Sequence, residues 1–238
     1  MDLTKLNNTI NESRKPSSPF NEVVRLRKSC RGFLATPVPA DIITSVLEDA
    51  QQAPSNCNTQ PWSTHIVSGD LLKELSAAII EAKNSEYYTP DFSFDLDHFY
   101  GDYSVRAKAQ GKAYYEGMGI AKEDQEGRKA ASDQNLTFFN APQAAFLFMP
   151  SFGDNVRVAG DIGMYGQTFL LSLTDHGLAG IPQTYLGYFA ATIRKVLNIS
   201  DEFKMLFSIS FGYADPDALG NSIKLGRDPL LSNVTFHQ

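Results

Sequence analysis

The sequence predicts an α+β protein, a sandwich of helices packed on a sheet. Helical patterns alternate along the chain with three or four short apolar runs of strand length. The run at residues 144–149 is apolar at every position, which is typical of a strand buried on both faces. No internal repeat and no linker interrupts the alternation, so we expect a single domain over residues 1–238.

Three helices and a strand are predicted in the first part of the chain, after an N-terminal arm at residues 1–19. The first helix spans Phe20–Lys28, and Gly32 lies beyond its end. The second begins near Pro39, a residue suited to the first helical turn. Its apolar positions recur at helical spacing; they are Ile42, Ile43, Val46, Leu47 and Ala50. A strand at 64–67 and a helix over 71–79 follow.

Residues 85–105 depart from any regular period. The segment is rich in aromatic side chains set among acids, which indicates an excursion from the core. One interpretation is a lid over a cofactor, with Tyr100 and Tyr103 in contact with an aromatic substrate. The other is a surface segment that is held in place by its aromatic residues. The aromatic residues are Tyr87, Tyr88, Phe92, Phe94, Phe99, Tyr100 and Tyr103.

The second half of the chain predicts mostly buried elements. A helix at 161–176 is apolar around its circumference, which indicates burial in the core or in a subunit interface, and Gly177 is suited to end it. In order, the predicted elements are a helix at 107–120, a charged helix or loop at 123–135, a strand at 144–149, the helix at 161–176, a loop at 180–184, a helix at 189–197, a strand at 204–211 and an extended tail.

Composition disfavours several classes of function. The formal net charge of −6 disfavours a surface for nucleic acid. The polar stretch Met1–Phe20 leads us to expect neither a signal peptide nor a membrane span, with the cytoplasm as the simplest compartment. Cys30 and Cys57 form no CxxC motif and no cluster with histidine, so we expect no metal site. Neither a dinucleotide-binding glycine motif nor a P-loop is present.

Two stretches of the sequence contain side chains suited to binding a ligand. The first, residues 25–33, contains Arg25, Arg27, Lys28, Ser29 and Arg31. Arginine forks and a serine hydroxyl bind phosphate oxygens well, although a basic helix end also occurs without any ligand.

The second stretch, residues 53–62, is dense in small hydrogen-bonding side chains between Pro54 and Pro61. It is able to present amide and hydroxyl groups to a planar heterocycle. An ordinary polar connection with Trp62 as an anchor is the alternative.

Together the two stretches resemble the nitroreductase family of flavin enzymes. The family's Arg-x-Ser-x-Arg phosphate motif is matched by Arg27, Ser29 and Arg31, and its Ala-Pro-Ser-x-x-Asn-x-Gln-Pro-Trp segment by residues 53–62. The resemblance covers roughly residues 20–238. It implies a three-layer α/β/α sandwich with a mixed central sheet, in a strand-exchanged homodimer whose tail at 228–238 crosses to the partner subunit.

The resemblance implies FMN as the cofactor and NADPH or NADH as co-substrate. No catalytic side chain is implied, because flavin N5 carries the hydride. Gln183 is implied to contact the ring or the substrate, and Lys224 stands where close relatives often have arginine. The implied cofactor-binding residues are Arg27, Lys28, Ser29, Arg31, Pro54, Ser55, Asn56, Asn58, Gln60, Pro182, Gln183, Thr184, Lys224 and Arg227.

The implied activity is ping-pong reduction of nitroaromatics or quinones, in the nitrobenzoate-reductase-like branch of the family. A dehalogenase, a quinone or enone reductase, a flavin-destroying enzyme or an azoline oxidase would use the same flavin cradle. A non-catalytic FMN-binding protein would bind flavin without turning over NAD(P)H. A dimeric interaction protein of a third class would bind no flavin at all.

Overall fold

A four-stranded antiparallel sheet lies at the centre of the computed structural model, which describes residues 19–237. Its strands lie in the order β1-β2-β4-β3. They are β1 (Ser63–Ser68), β2 (Gln143–Pro150), β3 (Ala179–Gln183) and β4 (Phe203–Gly212).

Every pair of neighbouring strands is antiparallel. The described chain therefore does not form the mixed sheet that the resemblance implied. The reason is the strand order. Since β2 and β3 are both antiparallel to β4, they run parallel to each other, as strands joined by a helical crossover do. Because β4 lies between them, they do not pair. The parallel contact in the described chain is an isolated bridge between Ser29 and Gly180.

Eight α-helices of the described residues surround the sheet. In chain order they are α1 (Pro19–Leu26), α2 (Ala40–Ala50), α3 (Gly69–Asn84), α4 (Gly101–Gly117), α5 (Gln125–Asp133), α6 (Val156–Asp175), α7 (Ala190–Leu197) and α8 (Leu219–Ser222). Short 3₁₀ turns at Asn56–Asn58, Leu96–His98, Phe138–Asn140, Tyr185–Phe189 and Leu230–Ser232 complete the chain.

Strand β2 divides the core into two halves, because successive side chains of a strand point to opposite faces. Ala144, Phe146 and Phe148 pack in a cluster that also includes buried residues of α3 and α7. Ala145, Leu147 and Met149 pack in a second cluster with buried residues of α2 and α6. The three-layer α/β/α sandwich is therefore confirmed.

Helix α6 is the central helix of the second layer. Its residue Phe169 is buried and meets the ring of Phe211 on β4 edge to face, with 5.5 Å between centroids. The helix ends as predicted, since Gly177 follows with a φ of +72°, a conformation that favours glycine. The prediction of a buried helix is confirmed, although it begins at Val156 rather than Asp161.

Three boundaries differ from the prediction. Helix α1 ends at Leu26, so the basic stretch that follows is not helical. The predicted loop at 180–184 is in fact strand β3, where Pro182 is tolerated because β3 lies at the sheet edge. Helix α4 begins at Gly101 and takes up the end of the aromatic excursion.

An arm was predicted at the N-terminus and a crossing tail at the C-terminus. The predicted arm at residues 1–19 lies outside the described residues except for Pro19, which begins α1. In the tail, Leu230–Ser232 forms a 3₁₀ turn, and the rest of 228–237 makes no strand within the described chain. Between residues 19 and 237, none of the helices has both the length and the apolar character needed to cross a bilayer.

Candidate cofactor site

The basic stretch runs as extended chain along the edge of the sheet. Ser29 forms a bridge with Gly180 on β3, and the Cys30 N–H donates to the Gly180 carbonyl at 3.2 Å. Further on, the Leu34 N–H donates to the carbonyl of Tyr213 at 2.9 Å. These bonds hold the segment with Arg27, Ser29 and Arg31 beside β3. Sequence patterns alone do not predict that position.

Three arginines near this edge have no carboxylate partner within the described part of the chain. Among the described residues, no Asp or Glu oxygen lies within 4.0 Å of a guanidinium nitrogen of Arg27, Arg31 or Arg227. Burial lowers the pKa of Arg27, and the nearby charge of Arg227 lowers it further. Burial also lowers the pKa of Arg31. An anion placed between these groups would relieve both penalties.

The C-terminal tail is fastened to the basic stretch by Asn221. The Asn221 side chain accepts a hydrogen bond from the Arg31 N–H at 2.6 Å and donates to the Gly32 carbonyl at 2.8 Å. Lys28 donates from Nζ to the Asn221 carbonyl at 2.7 Å, so its ammonium is engaged within the protein. Lys224 and Arg227 are exposed further along the tail. The sequence analysis did not give Asn221 a role in the site, and only its position shortly before Lys224 and Arg227 hinted at one.

A cavity of about 800 Å³ opens beside Arg31. Its walls combine the end of β3, helix α4 and the excursion before α4. The aromatic side chains among its lining residues are Phe94, Phe99, Tyr114, Tyr115, Phe139 and Tyr185. The Arg31 guanidinium lies over the Tyr114 ring at 5.1 Å from the centroid. Volume and lining are typical of a site for a planar organic molecule.

Arg227 borders an adjoining groove of about 520 Å³. Gln110 of α4 belongs to the linings of both the groove and the larger cavity, so the two spaces meet at this residue. Arg31 thus lines the larger cavity and Arg227 the groove beside it, and the charge of Arg227 adds to the effect of burial in lowering the pKa of Arg27.

Pro182, Gln183 and Thr184 all line the larger cavity, as their implied role requires. The Gln183 side chain, however, makes its hydrogen bonds within the protein. Its Nε2 donates to the carbonyl and the side-chain oxygen of Asn135 at 3.1 and 3.2 Å, and its Oε1 accepts from the Ser210 hydroxyl. Gln183 thus shapes the wall, and its amide is not free to bond a ligand in this arrangement.

Tyr100 and Tyr103 do not line this cavity. Their side chains are exposed, at 76% and 58%, and their rings contact each other edge to face. Tyr103 also lies under the guanidinium of Arg106. The aromatic residues of the excursion that do reach the cavity are Phe94 and Phe99.

The base of the excursion is firmly attached. Asp91 is buried and pairs with Arg194 of α7, and the Met205 N–H donates to the same carboxylate at 2.8 Å. The Thr89 N–H donates to the carbonyl of Tyr188 at 2.7 Å. These contacts hold the stretch that leads to the cavity wall.

The 53–62 stretch forms a strained loop on the face of α6. Cys57, Asn58 and Gln60 all have positive φ, between 48° and 55°, a costly conformation that often marks a functional site. The Ser55 hydroxyl accepts from the Gln60 N–H at 2.9 Å. The Asn56 N–H donates at 3.1 Å to both oxygens of Asp161, a buried carboxylate on α6. Sequence reasoning gave no role to Asp161.

The end of this loop is anchored by stacking. Trp62 packs on the Tyr165 ring with 4.9 Å between centroids, and its Nε1 donates to Gln51 at 3.0 Å. Pro54, Asn56, Asn58 and Gln60 remain exposed and do not belong to the lining of the cavity beside Arg31. Any contact of these residues with a ligand there would have to come from a second copy of the chain.

These residues fit FMN. Three arginines without carboxylate partners suit a phosphate dianion, and the aromatic cavity suits a flat ring system. The described residues contain no group of three or more His, Cys, Asp or Glu side chains that would hold a metal ion.

Comparison with known proteins agrees with the geometry. Residues 24–213 match the model of the nitroreductase family. Nitroreductase NfnB of Mycolicibacterium smegmatis is 36% identical over 214 residues, which cover 90% of this chain and 91% of that protein. The 4-nitrobenzoate reductase of Pseudomonas putida is 33% identical over 88% of this chain and 91% of that protein.

A solved structure is similar over the same length. The FMN-dependent nitroreductase NfnB from Mycobacterium smegmatis, crystallised in complex with NADPH, superposes with a TM-score of 0.89 at 35% identity. The match covers 92% of this chain and 98% of that chain.

Proposed function

The chain belongs to the nitroreductase family, and on that premise we propose that it is an FMN-dependent oxidoreductase that takes hydride from NAD(P)H and reduces nitroaromatics or quinones. The single observation that carries the proposal is Arg31, which has no carboxylate partner among the described residues and lines an aromatic cavity of about 800 Å³. When bound, FMN supplies the two-electron chemistry that the side chains lack.

Four residues would hold the FMN phosphate, and we call them the phosphate clamp: Arg27, Ser29, Arg31 and Arg227. Burial and then the charge of Arg227 lower the pKa of Arg27, so a phosphate bound by both arginines would gain charge-assisted hydrogen bonds and offset their repulsion. Arg31 faces the cavity itself and would lead the ligand from the clamp to the ring pocket. Lys224 is exposed on the same tail and would add charge near the clamp.

The aromatic walls would orient the flat ring and keep water from one of its faces. Phe94 and Phe99 approach from the excursion, and Tyr114 and Tyr115 from α4. Because Gln183 is tied to Asn135 and Ser210, the β3 end forms a rigid edge to the pocket. We propose that the excursion acts as the lid, with Tyr100 and Tyr103 at its outer surface, where a substrate enters.

We propose a homodimer in which the site is completed by the second copy. Helix α6 leaves large apolar side chains exposed; Val156 is 68% exposed and Met164 is 40% exposed. Phe20 and Val24 of α1 are also exposed, and α1 packs against α6. The strained loop with Ser55, Asn56, Asn58 and Gln60 lies on the same helix. It would contact the partner's flavin, while the tail at 228–238 would reach across the partner.

The full-length relatives favour nitro reduction over the other chemistries of this fold. Both bacterial relatives named above carry nitro reduction in their names, and each aligns over about nine-tenths of its length. The relative that was crystallised with NADPH supports NADPH as the hydride donor. Neither cysteine of the described chain is paired, which suits a reducing cytoplasm.

The proposal is tested by steady-state kinetics on the FMN-loaded protein with 4-nitrobenzoate and 2-nitrotoluene as acceptors and NADPH or NADH as donor. We expect acceptor-dependent oxidation of NADPH with the parallel reciprocal plots of a ping-pong mechanism. An FMN-loaded protein that oxidises neither nucleotide, with any nitroaromatic or quinone present, contradicts the proposal.

A further inference from the structure

Asn221 lies buried between the basic stretch and the tail, with only 8% of its surface exposed. Its amide makes three hydrogen bonds within the protein. Oδ1 accepts from the Arg31 N–H at 2.6 Å, and Nδ2 donates to the carbonyls of Gly32 and Asp215, both at 2.8 Å. Its own carbonyl accepts from Lys28 at 2.7 Å. Asn221 is thus hydrogen-bonded to Lys28, Arg31 and Gly32 of the basic stretch, and also to Asp215.

The two segments also approach each other closely at their glycines. A Cβ atom on Gly220 would lie 2.8 Å from the Arg31 Cβ, and one on Gly32 would lie 2.3 Å from the Ala218 Cβ. Distances this short leave no room for a side chain at either position. The backbone of the tail is therefore seated against the backbone that carries Arg31.

Electrostatics alone would drive these segments apart. Arg27 precedes the junction and Arg227 follows it; burial lowers the pKa of Arg27, and the charge of Arg227 lowers it further. Among residues 19–237 no Asp or Glu oxygen lies within 4.0 Å of either guanidinium. Asn221 bonds to the backbone carbonyl of Asp215, whose carboxylate accepts from the Asp217 N–H. The junction is therefore held by the hydrogen bonds of Asn221 and by close packing, against a like-charge repulsion.

We propose that Asn221 is a positioning residue of the phosphate clamp, which holds Arg31 and Arg227 in the arrangement that receives the phosphate of FMN. This inference rests on the proposed function. Asn221 does not contact the phosphate. It acts through the backbone of Arg31 and through the course of the tail from Asn221 to Arg227.

A merely structural role makes a different prediction. If Asn221 only stabilised the fold, its loss would weaken the binding of FMN and of riboflavin by the same factor. Riboflavin carries the same ring and ribityl chain without the phosphate, so the ratio of the two affinities isolates the clamp. A positioning role predicts that this ratio falls, because only FMN has the group that the clamp receives.

The test is a fluorescence titration of the apoprotein with FMN and with riboflavin. For Asn221→Ala, we expect FMN affinity to fall by about tenfold or more, since a buried backbone partner is lost on each segment, and riboflavin affinity to change by less than about twofold. Gln143→Ala is the matched control. Gln143 is also a buried amide that bridges backbone groups, those of Val38, but it lies away from the clamp. It should leave the affinity ratio at the wild-type value.

Two further measurements keep the test decisive if Asn221→Ala folds poorly. Asn221→Asp keeps an acceptor for the Arg31 N–H, but removes both donors and adds a negative charge that competes with phosphate, so the ratio should again fall. In a cycle with Arg227→Ala, the second substitution should cost FMN affinity less than it does in the wild type, because both act on one clamp.

The outcomes separate the inference from the proposed function. Equal losses for FMN and riboflavin, no loss in Asn221→Ala, or additive losses in the cycle would overturn the positioning role while leaving FMN binding intact. A wild-type protein that binds no FMN would overturn the proposed function and the inference together.

Discussion

Arg27, which directly follows the first helix, has its pKa lowered by burial and further by the charge of Arg227, near the end of the described chain. Two like charges at close range cost stability unless something compensates them. Among the described residues no carboxylate does so. This local excess of positive charge supports the proposed phosphate site, although the net charge of the protein is −6.

Removing either arginine should weaken FMN binding. Arg27→Ala and Arg227→Ala each delete a charge-assisted bond of about 1.5–3 kcal/mol, which corresponds to roughly a 10- to 150-fold loss in affinity. Titration of the apoprotein with FMN measures the effect.

Arg25→Ala is the control for these variants. Arg25 lies on α1, two residues before Arg27, is exposed, and donates to the Asn21 carbonyl at 3.5 Å. It should bind FMN within about twofold of the wild type, since a solvated charge contributes little. Unchanged FMN affinity in both Arg27→Ala and Arg227→Ala would refute the clamp.

If the site is shared between two copies, a substitution on α6 should weaken FMN binding without touching the cavity. Met164→Lys places a charge on the face that we propose as the dimer interface, where Met164 is 40% exposed. We expect monomers by analytical ultracentrifugation and weaker FMN binding in the same concentration range, because a ligand that binds the dimer stabilises it.

Leu71→Lys on α3 is the matched control, since Leu71 is 42% exposed and lies on the other layer of the sandwich. This variant should remain dimeric with unchanged FMN affinity. A Met164→Lys monomer that retains FMN as tightly as the wild type would count against a shared site.

The packing of β3 on α6 requires glycine at position 180. A Cβ there would lie 2.8 Å from Leu170 Cδ2 and 3.0 Å from Leu173 Cδ1. Gly180→Ala should lower the free energy of unfolding by about 1–3 kcal/mol through overpacking. Denaturant unfolding of the apoprotein measures this.

Gly111→Ala makes the opposite prediction in the same assay. Gly111 lies inside α4, and no atom lies within 4 Å of the position of its Cβ. The change should raise the free energy of unfolding by about 0.5–1 kcal/mol, because alanine loses less backbone entropy in a helix. Equal effects of the two substitutions would contradict the packing described for β3.

Stability should fall in mildly acidic solution, in part because of His65. Burial lowers the pKa of His65 below its ordinary value of 6.5. The unfolded chain then binds more protons than the folded chain in the window between the two pKa values, so the free energy of unfolding decreases as pH falls through that window. His65→Gln should show a shallower decrease below about pH 6.5, and the exposed His98→Gln should follow the wild type. A wild-type slope in His65→Gln would contradict this assignment.

Local sequence patterns were sufficient for the core. The all-apolar run of β2 correctly indicated a strand covered on both faces, because alternate side chains fill two separate clusters. Gly177 correctly marked the end of α6, because the left-handed conformation there favours glycine. In both cases the signal lies in the residues of the element itself or directly after it.

Long-range pairing was not predictable in the same way. Residues 180–184 contain glycine and proline, which suggested a loop, but pairing with β4 makes most of them an edge strand. The antiparallel sheet depends on β4 lying between β2 and β3, which no local pattern encodes. The positioning role that we propose for Asn221 depends on the fold, which brings it to Arg31. The positions of Tyr100 and Tyr103 outside the cavity depended in turn on where α4 begins.

The most direct test of the account is the visible spectrum of the FMN-loaded protein under anaerobic conditions. Adding NADPH or NADH should bleach the flavin absorption, and a subsequent addition of 4-nitrobenzoate should restore it, with no nucleotide left in excess. A flavin spectrum that neither nucleotide bleaches, or a bleached spectrum that no nitroaromatic or quinone restores, would contradict the proposed reductase.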